Sequence, residues 1–395
     1  METQDMSFDF DTPIDRTGSH SLKFDGRKAY FGREDVMPMW VADMDFAAPS
    51  AITDALVTRA RHPVYGYTLY PDSIYQSLID WCLHRYHWVI NRSQILMCPG
   101  VVPSLHAVIE ALTEPGDKVV VQPPVYFPFF SAVTETGREL LLNPLKLENG
   151  HYSMDLEHLA ECAKQGARLL LLCSPHNPVG RVWQRQELMD LLAVAAQFDM
   201  TILSDEIHAD LIYPGQVHLP IADLTDSVNV LTALAPSKTF NIPGLGLSSL
   251  VVPRKADRKA INRVFDSWHV SAANPFSITA FEAAYRHGEA WLEALKAYLQ
   301  QSLDMAREFM ASRLEGIELI EPEGTYLLWL DCRQMGLDNQ ALRTFFIEKA
   351  GIGMNPGYVF GENGSGFMRL NIGTSRAQLE IALKKIEEAI SRFQH

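Results

Sequence analysis

Lys238 stands in Ala235-Pro236-Ser237-Lys238-Thr239-Phe240-Asn241, directly after an apolar run at 228–234. A lysine sheltered at a strand's C-terminal end can lose its proton, attack an aldehyde and hold it as a Schiff base, while Ser237 donates to a phosphate. Alone, the Ser-Lys pair is usually just a solvated turn. A second apolar run, 200–204, leads into Ser204-Asp205-Glu206-Ile207-His208 and puts Asp205 at an equivalent position. A buried carboxylate there needs a cation, and a pyridinium nitrogen supplies one. A helix N-cap is the plainer role for Asp205, but it leaves Glu206 and His208 without a reason.

Four further segments carry groups of the right kind. Cys173-Ser174-Pro175-His176-Asn177-Pro178 follows a strand-like run, and Asn177 can donate to a phenolate oxygen or simply close a turn. Cys98-Pro99-Gly100-Val101-Val102-Pro103 precedes a helical pattern whose first amides, at Gly100, Val101 and Val102, could seat a phosphate. Gln122-Pro123-Pro124-Val125-Tyr126 offers Tyr126 as a ring to stack on a flat molecule. Arg369 interrupts the apolar run 367–371, where its fork suits a substrate α-carboxylate or an internal ion pair.

These groups must be held by elements, and the pattern of the chain supplies them. Apolar runs at 118–121, 168–173, 200–204, 228–234 and 247–252 alternate with helical spacings such as Leu105, Val108, Ile109 and Leu112, which stop at Glu114-Pro115-Gly116. That alternation predicts an α/β fold with a mostly parallel sheet covered by helices. After about residue 290 the texture becomes helix, strand at 326–331, helix, strand at 367–371 and a last helix, as in a smaller α+β domain. The expected division is 1–47 as an N-terminal arm and part of the small domain, 48–290 as the large domain and 291–395 as the small one. Residues 1 to about 35 read as an extended arm packing on something else, such as a partner subunit, with the structured body starting near Met37.

Composition narrows the class. The chain has 395 residues, 47% of them apolar, which is enough for a full core. No apolar run approaches the ~20 residues needed to span a bilayer, and the start, Met1-Glu2-Thr3-Gln4-Asp5, is acidic rather than signal-like, so a cytoplasmic protein away from the membrane is expected. A net charge of -14 argues against nucleic acid as a partner. The five cysteines lack any CxxC spacing, and Cys82 with His84 and His87 falls in an apolar stretch without a second ligand pair, so neither disulfides nor a metal site is expected.

Taken together and in order, the six segments resemble the fold-type I enzymes of the class I/II aminotransferase superfamily, which use pyridoxal 5'-phosphate. The resemblance covers nearly the whole chain. It implies that Lys238 carries the cofactor as a Schiff base, Asp205 binds its ring nitrogen, Asn177 its phenolate oxygen and Arg369 the substrate carboxylate, with Tyr126 against the ring. Val41-Ala42-Asp43-Met44-Asp45-Phe46, the segment at 204–208 and Ser237-Lys238-Thr239-Phe240-Asn241-Ile242-Pro243-Gly244-Leu245 are similar to the bacterial cystathionine β-lyase and C-S lyase branch of the maltose-regulon-modulator type. That branch implies Asp43 near the substrate.

Two departures from the aminotransferase pattern stand out. His208 replaces the usual Tyr beside the cofactor, and Gly246 replaces the usual phosphate-binding Arg. The resemblance then leaves the phosphate to Ser237, the Gly100 to Val102 amides and Tyr67 of a second subunit in a homodimer. It implies β-elimination from a cysteine-type substrate, with Lys238 as base and Tyr67 assisting. The products would be a thiol, pyruvate and ammonia. An aminotransferase, or a cofactor-binding regulatory protein acting on a partner, are the alternatives.

Overall fold

The computed structural model describes residues 8–271 and 273–393. Its large sheet has seven strands in the spatial order Ile95–Cys98, Ser248–Val251, Val230–Leu234, Thr201–Asp205, Leu169–Cys173, Lys118–Val121 and Glu139–Leu142. Ser248–Val251 runs antiparallel to both of its neighbours, and the remaining pairings are parallel. Strands such as Leu169–Cys173 and Val230–Leu234 are buried along their whole length, because helices cover both faces and leave no polar side. The expected α/β class with a mostly parallel sheet is what the chain adopts. The run at 247–252 forms the expected strand, but its antiparallel direction was not predicted, since a short apolar run carries no direction, and the edge strands Ile95–Cys98 and Glu139–Leu142 were not expected.

A second, antiparallel sheet of Glu318–Ile320, Leu327–Asp331, Phe367–Asn371 and Asn355–Pro356 lies in the C-terminal part. The helix Arg376–Phe393 buries Leu379, Leu383, Ile386 and Ile390 of the apolar positions its 3.6-residue period predicts, while the fifth, Phe393 at the helix end, is half exposed. Met37–Pro38 adds to Ile352–Gly353 in parallel, so the start of the chain is stitched to its end.

The N-terminal stretch differs from expectation. Within residues 8–35 the chain forms two short helices, Leu22–Asp25 and Arg27–Phe31, and Phe10 packs edge-on against Phe46 at 5.1 Å and Trp291 at 5.6 Å. This part of the arm therefore packs on its own chain; residues 1–7 of the expected arm lie outside the described residues. Two buried aromatics, Phe10 and Phe31, anchor this polar segment without leaving any periodicity to read.

Among the described residues no helix is long and apolar enough to cross a membrane, and no group of three or more metal-ligating side chains comes together. The five cysteines are all buried and free.

Gly288, between the helices Pro275–His287 and Glu289–Arg313, lies against the turn that follows Lys238. A Cβ there would sit 2.2 Å from Cε1 of the buried Phe240 ring and 2.6 Å from the Ala284 carbonyl oxygen. Gly288→Ala should therefore lower stability by about 1–3 kcal/mol, seen as a lower urea midpoint at unchanged slope.

Candidate active site

The C-terminal ends of the parallel strands all open on one edge of the large sheet, and loops from four of them meet there. Between them lies a cavity of about 320 Å³. Of the residues expected to act on the cofactor, Gly100, Val101, Val102, Tyr126, Asn177, Asp205, His208, Ser237 and Lys238 all line it. Gly246 lines it too, without a side chain.

Lys238 lies in the single turn Pro236–Thr239, and its Nζ donates to the Ala42 carbonyl oxygen at 2.6 Å. The same carbonyl accepts the Tyr326 hydroxyl at 2.9 Å. Burial, reinforced by the Arg369 charge, brings the Lys238 ammonium down to about 8, against the pull of Asp43 and Asp205. The neutral amine, the nucleophilic form, is thus accessible near neutral pH.

Asp205 ends its strand with its carboxylate in the cavity. Burial raises it to about 7, although the Ile207 N–H donates to Oδ1 at 3.1 Å and Lys238 is near. A carboxylate held this far above its ordinary range lacks a cation, and a protonated ring nitrogen in the cavity would supply it. His208 is driven the other way, to about 3, by burial and then by the Lys238 and Arg369 charges, so it is a neutral imidazole whose Nδ1 is buried without a partner.

Asn177 is aimed from the other side. Its Oδ1 accepts from Arg369 at 2.9 Å, which fixes the amide so that Nδ2 is the donor left over. Its backbone carbonyl receives the Tyr126 N–H at 3.1 Å, tying the two loops together. Arg369 itself is buried, held also by Asn355 Oδ1 at 2.8 Å and the Trp40 carbonyl at 3.2 Å, with Nε unpartnered. Among the described residues no carboxylate pairs with it; burial lowers it to about 10. It is an arginine lacking its anion, as a substrate carboxylate site requires.

Three expected residues do not line the cavity: Arg369 sits behind Asn177, and Asp43 and Tyr67 are placed elsewhere. The Asp43 carboxylate is taken by Arg16, with contacts of 3.2 and 2.7 Å, and acts on Lys238 only as a nearby charge. Tyr67 is fully exposed on the segment between the helices Ser50–Arg61 and Asp72–Tyr86. Conversely, the Ala42 carbonyl, Tyr326, Asn355 and Asp210 were missed. Asp210 receives Thr239 Oγ1 at 2.9 Å, the Tyr86 hydroxyl at 2.5 Å and Trp81 Nε1 at 3.2 Å, bracing the Lys238 turn from behind. The signal for it was present in His208-Ala209-Asp210, two residues past the imidazole.

The model of the family "Aminotransferase class I and II" matches residues 34–386. The chain belongs to that family. Within it, the chain is 40% identical to cystathionine beta-lyase PatB of Bacillus subtilis, over 97% of this chain and 100% of that protein. It is 31% identical to Protein MalY of Escherichia coli, over 97% and 99% respectively. Among solved structures, cystalysin from Treponema denticola, which contains pyridoxal 5'-phosphate, superposes with a TM-score of 0.95 at 32% identity, covering 98% of this chain and 100% of that one. The resemblance to class I/II aminotransferases and to their lyase branch is therefore upheld by relatives spanning the whole chain.

The cavity fits that cofactor on its own terms. It offers an amine for an aldehyde, a carboxylate lacking a cation, an oriented amide donor and a helix start with free amides. Competitive acetylation of the cofactor-free protein, read by mass spectrometry, should give a midpoint for Lys238 near pH 8. A midpoint at the ordinary lysine value, about 10.4, would show instead that the amine is solvated.

Proposed function

We propose that this chain is a pyridoxal 5'-phosphate-dependent carbon-sulfur lyase acting on L-cystathionine or related cysteine S-conjugates. The observation that carries the reading is a poised Lys238 amine facing Asp205 across one cavity, in a chain aligned end to end with a cystathionine β-lyase. In this reading Lys238 holds the cofactor aldehyde, Asp205 the ring nitrogen, Asn177 the phenolate oxygen, and Ser237 with the amides of Gly100 to Val102 the phosphate. Tyr126 and the neutral His208 bound the ring. When bound, the cofactor supplies an electron sink for a carbanion at the substrate Cα.

The remaining work falls to side chains. Arg369, preset by Asn177, Asn355 and the Trp40 carbonyl, takes the α-carboxylate in its fork and orients the Cα–H bond. Lys238 Nζ, steered by the Ala42 carbonyl, removes the Cα proton. The Cβ–S bond breaks, sulfur leaves with the bonding pair and takes up a proton, and water completes the conversion of the remaining carbons to pyruvate and ammonia. From cystathionine the thiol is homocysteine. Asp43, through its charge near Lys238 rather than by contact, completes the substrate side.

We infer a homodimer in which Tyr67 serves the neighbouring chain's site. Val64, Tyr65, Tyr67 and Leu69 stand exposed by 63%, 57%, 112% and 87%, an apolar run that a free surface does not favour. Mixing inactive Lys238→Ala and Tyr67→Ala proteins under subunit exchange should restore part of the activity, because one of the two sites is then intact. No recovery from a verified mixed dimer would rule out shared sites.

The lyase reading is tested by product. Cystathionine with enzyme alone should yield pyruvate in a lactate-dehydrogenase-coupled assay, and Arg369→Lys should lower kcat/KM by roughly ten- to a hundredfold through loss of the fork. Absence of pyruvate, with turnover restored by a keto acid, would make the protein an aminotransferase.

A further inference from the structure

The phosphate seat lacks the arginine that Gly246 displaces, and the backbone shows why no side chain returns there. Gly246 has φ +39°, a left-handed conformation in which any side chain is strained, although a Cβ there would make only ordinary contact with the Pro99 carbonyl oxygen. Two residues further on, Ser248 opens the strand Ser248–Val251 and pairs with Cys98, just before the Pro99-Gly100 loop that starts the helix Val101–Leu112. Leu250 on that strand packs in one cluster with Val101, Leu105 and Val108, so Ser248, two residues earlier, faces the same helix.

Ser248 is wholly buried, and its Oγ makes no hydrogen bond. The hydroxyls around it are satisfied: Ser249 Oγ donates to the Leu234 carbonyl at 3.3 Å and Ser104 Oγ to the Gly100 carbonyl at 2.8 Å. Thr232 Oγ1 is also unpartnered but does not line the cavity, whereas Ser248 does, together with Gly100, Val101 and Ser237. An unpaired hydroxyl held at the mouth of a helix N-terminus is matched to an anion.

We propose that Ser248 is a phosphate ligand, its Oγ donating to the phosphate monoester dianion of the cofactor in place of the missing arginine. The proposal rests on the cofactor reading above and adds a residue to it. Three kinds of donor then meet the phosphate from this chain: the helix amides, Ser237 and Ser248.

The test is the variant Ser248→Ala, titrated in cofactor-free form with pyridoxal 5'-phosphate and, separately, with pyridoxal, which lacks the phosphate. Pyridoxal 5'-phosphate affinity should fall roughly tenfold, the worth of one hydrogen bond to a charged group. Pyridoxal affinity and the melting temperature of the cofactor-free protein should stay as in wild type, because the deleted atom makes no bond there. Unchanged pyridoxal 5'-phosphate binding by the variant, or equal weakening of both compounds, would overturn the role of Ser248 while leaving the cofactor reading intact. A wild-type protein that takes up no pyridoxal 5'-phosphate would overturn both.

Discussion

Backbone carbonyls buried beside the cavity must find donors, and one strap of chain, residues 40–46, meets that demand with side chains from every surrounding element. The Trp40 carbonyl takes Arg369, Val41 and Asp43 take Asn371, Ala42 takes Lys238 and Tyr326, and Met44 and Phe46 take Asn241. Asn241 belongs to the loop after Lys238, while Arg369 lies at the centre and Asn371 at the end of one strand of the small sheet. The strap thereby joins the two sheets across the cavity. Its outer side is fastened by Arg16 and the buried Lys23 on Asp43 and Asp45.

Electrostatics inside follow from that enclosure. Lys238, Asp205, His208 and Arg369 are each pushed toward their neutral form by burial before any neighbour is considered. The site is short of a cation at Asp205, which lines the cavity, and of an anion at Arg369, which is joined to the lining through Asn177. A substrate carboxylate and a protonated ring nitrogen would fill these two deficits with opposite signs, so binding and charge balance become a single event. Behind the site, Asp210 braces the Lys238 turn, and Glu206 is satisfied separately by Ser204 and His218, both at 2.8 Å. The carboxylates beside Asp205 are thus engaged in structure and do not compete for the cavity.

The chemistry was legible because of one geometric rule. Apolar runs mark strands, parallel strands end on a common edge, and Lys238, Asp205, Asn177 and Tyr126 each follow such a run, so linear spacing translated directly into proximity. Arg369 could be recognised because a charge inside an apolar strand needs an explanation. Lys118–Val121 and Phe367–Asn371 match the runs at 118–121 and 367–371 that predicted them, the first lying between Asp117 and Gln122 and the second starting after Gly366.

What the amino-acid sequence determined by itself was therefore the set of reactive groups, the α/β layering and the edge on which those groups collect. Tertiary structure alone decided that the Ala42 carbonyl holds Lys238, that Asn355 supports Arg369, that Asp43 turns to Arg16, and that the Ser248 hydroxyl is left unpaired. It likewise decided the direction of Ser248–Val251 and the docking of Phe10. A backbone carbonyl has no residue signature, and a side chain's partner depends on long-range packing that periodicity and spacing do not encode.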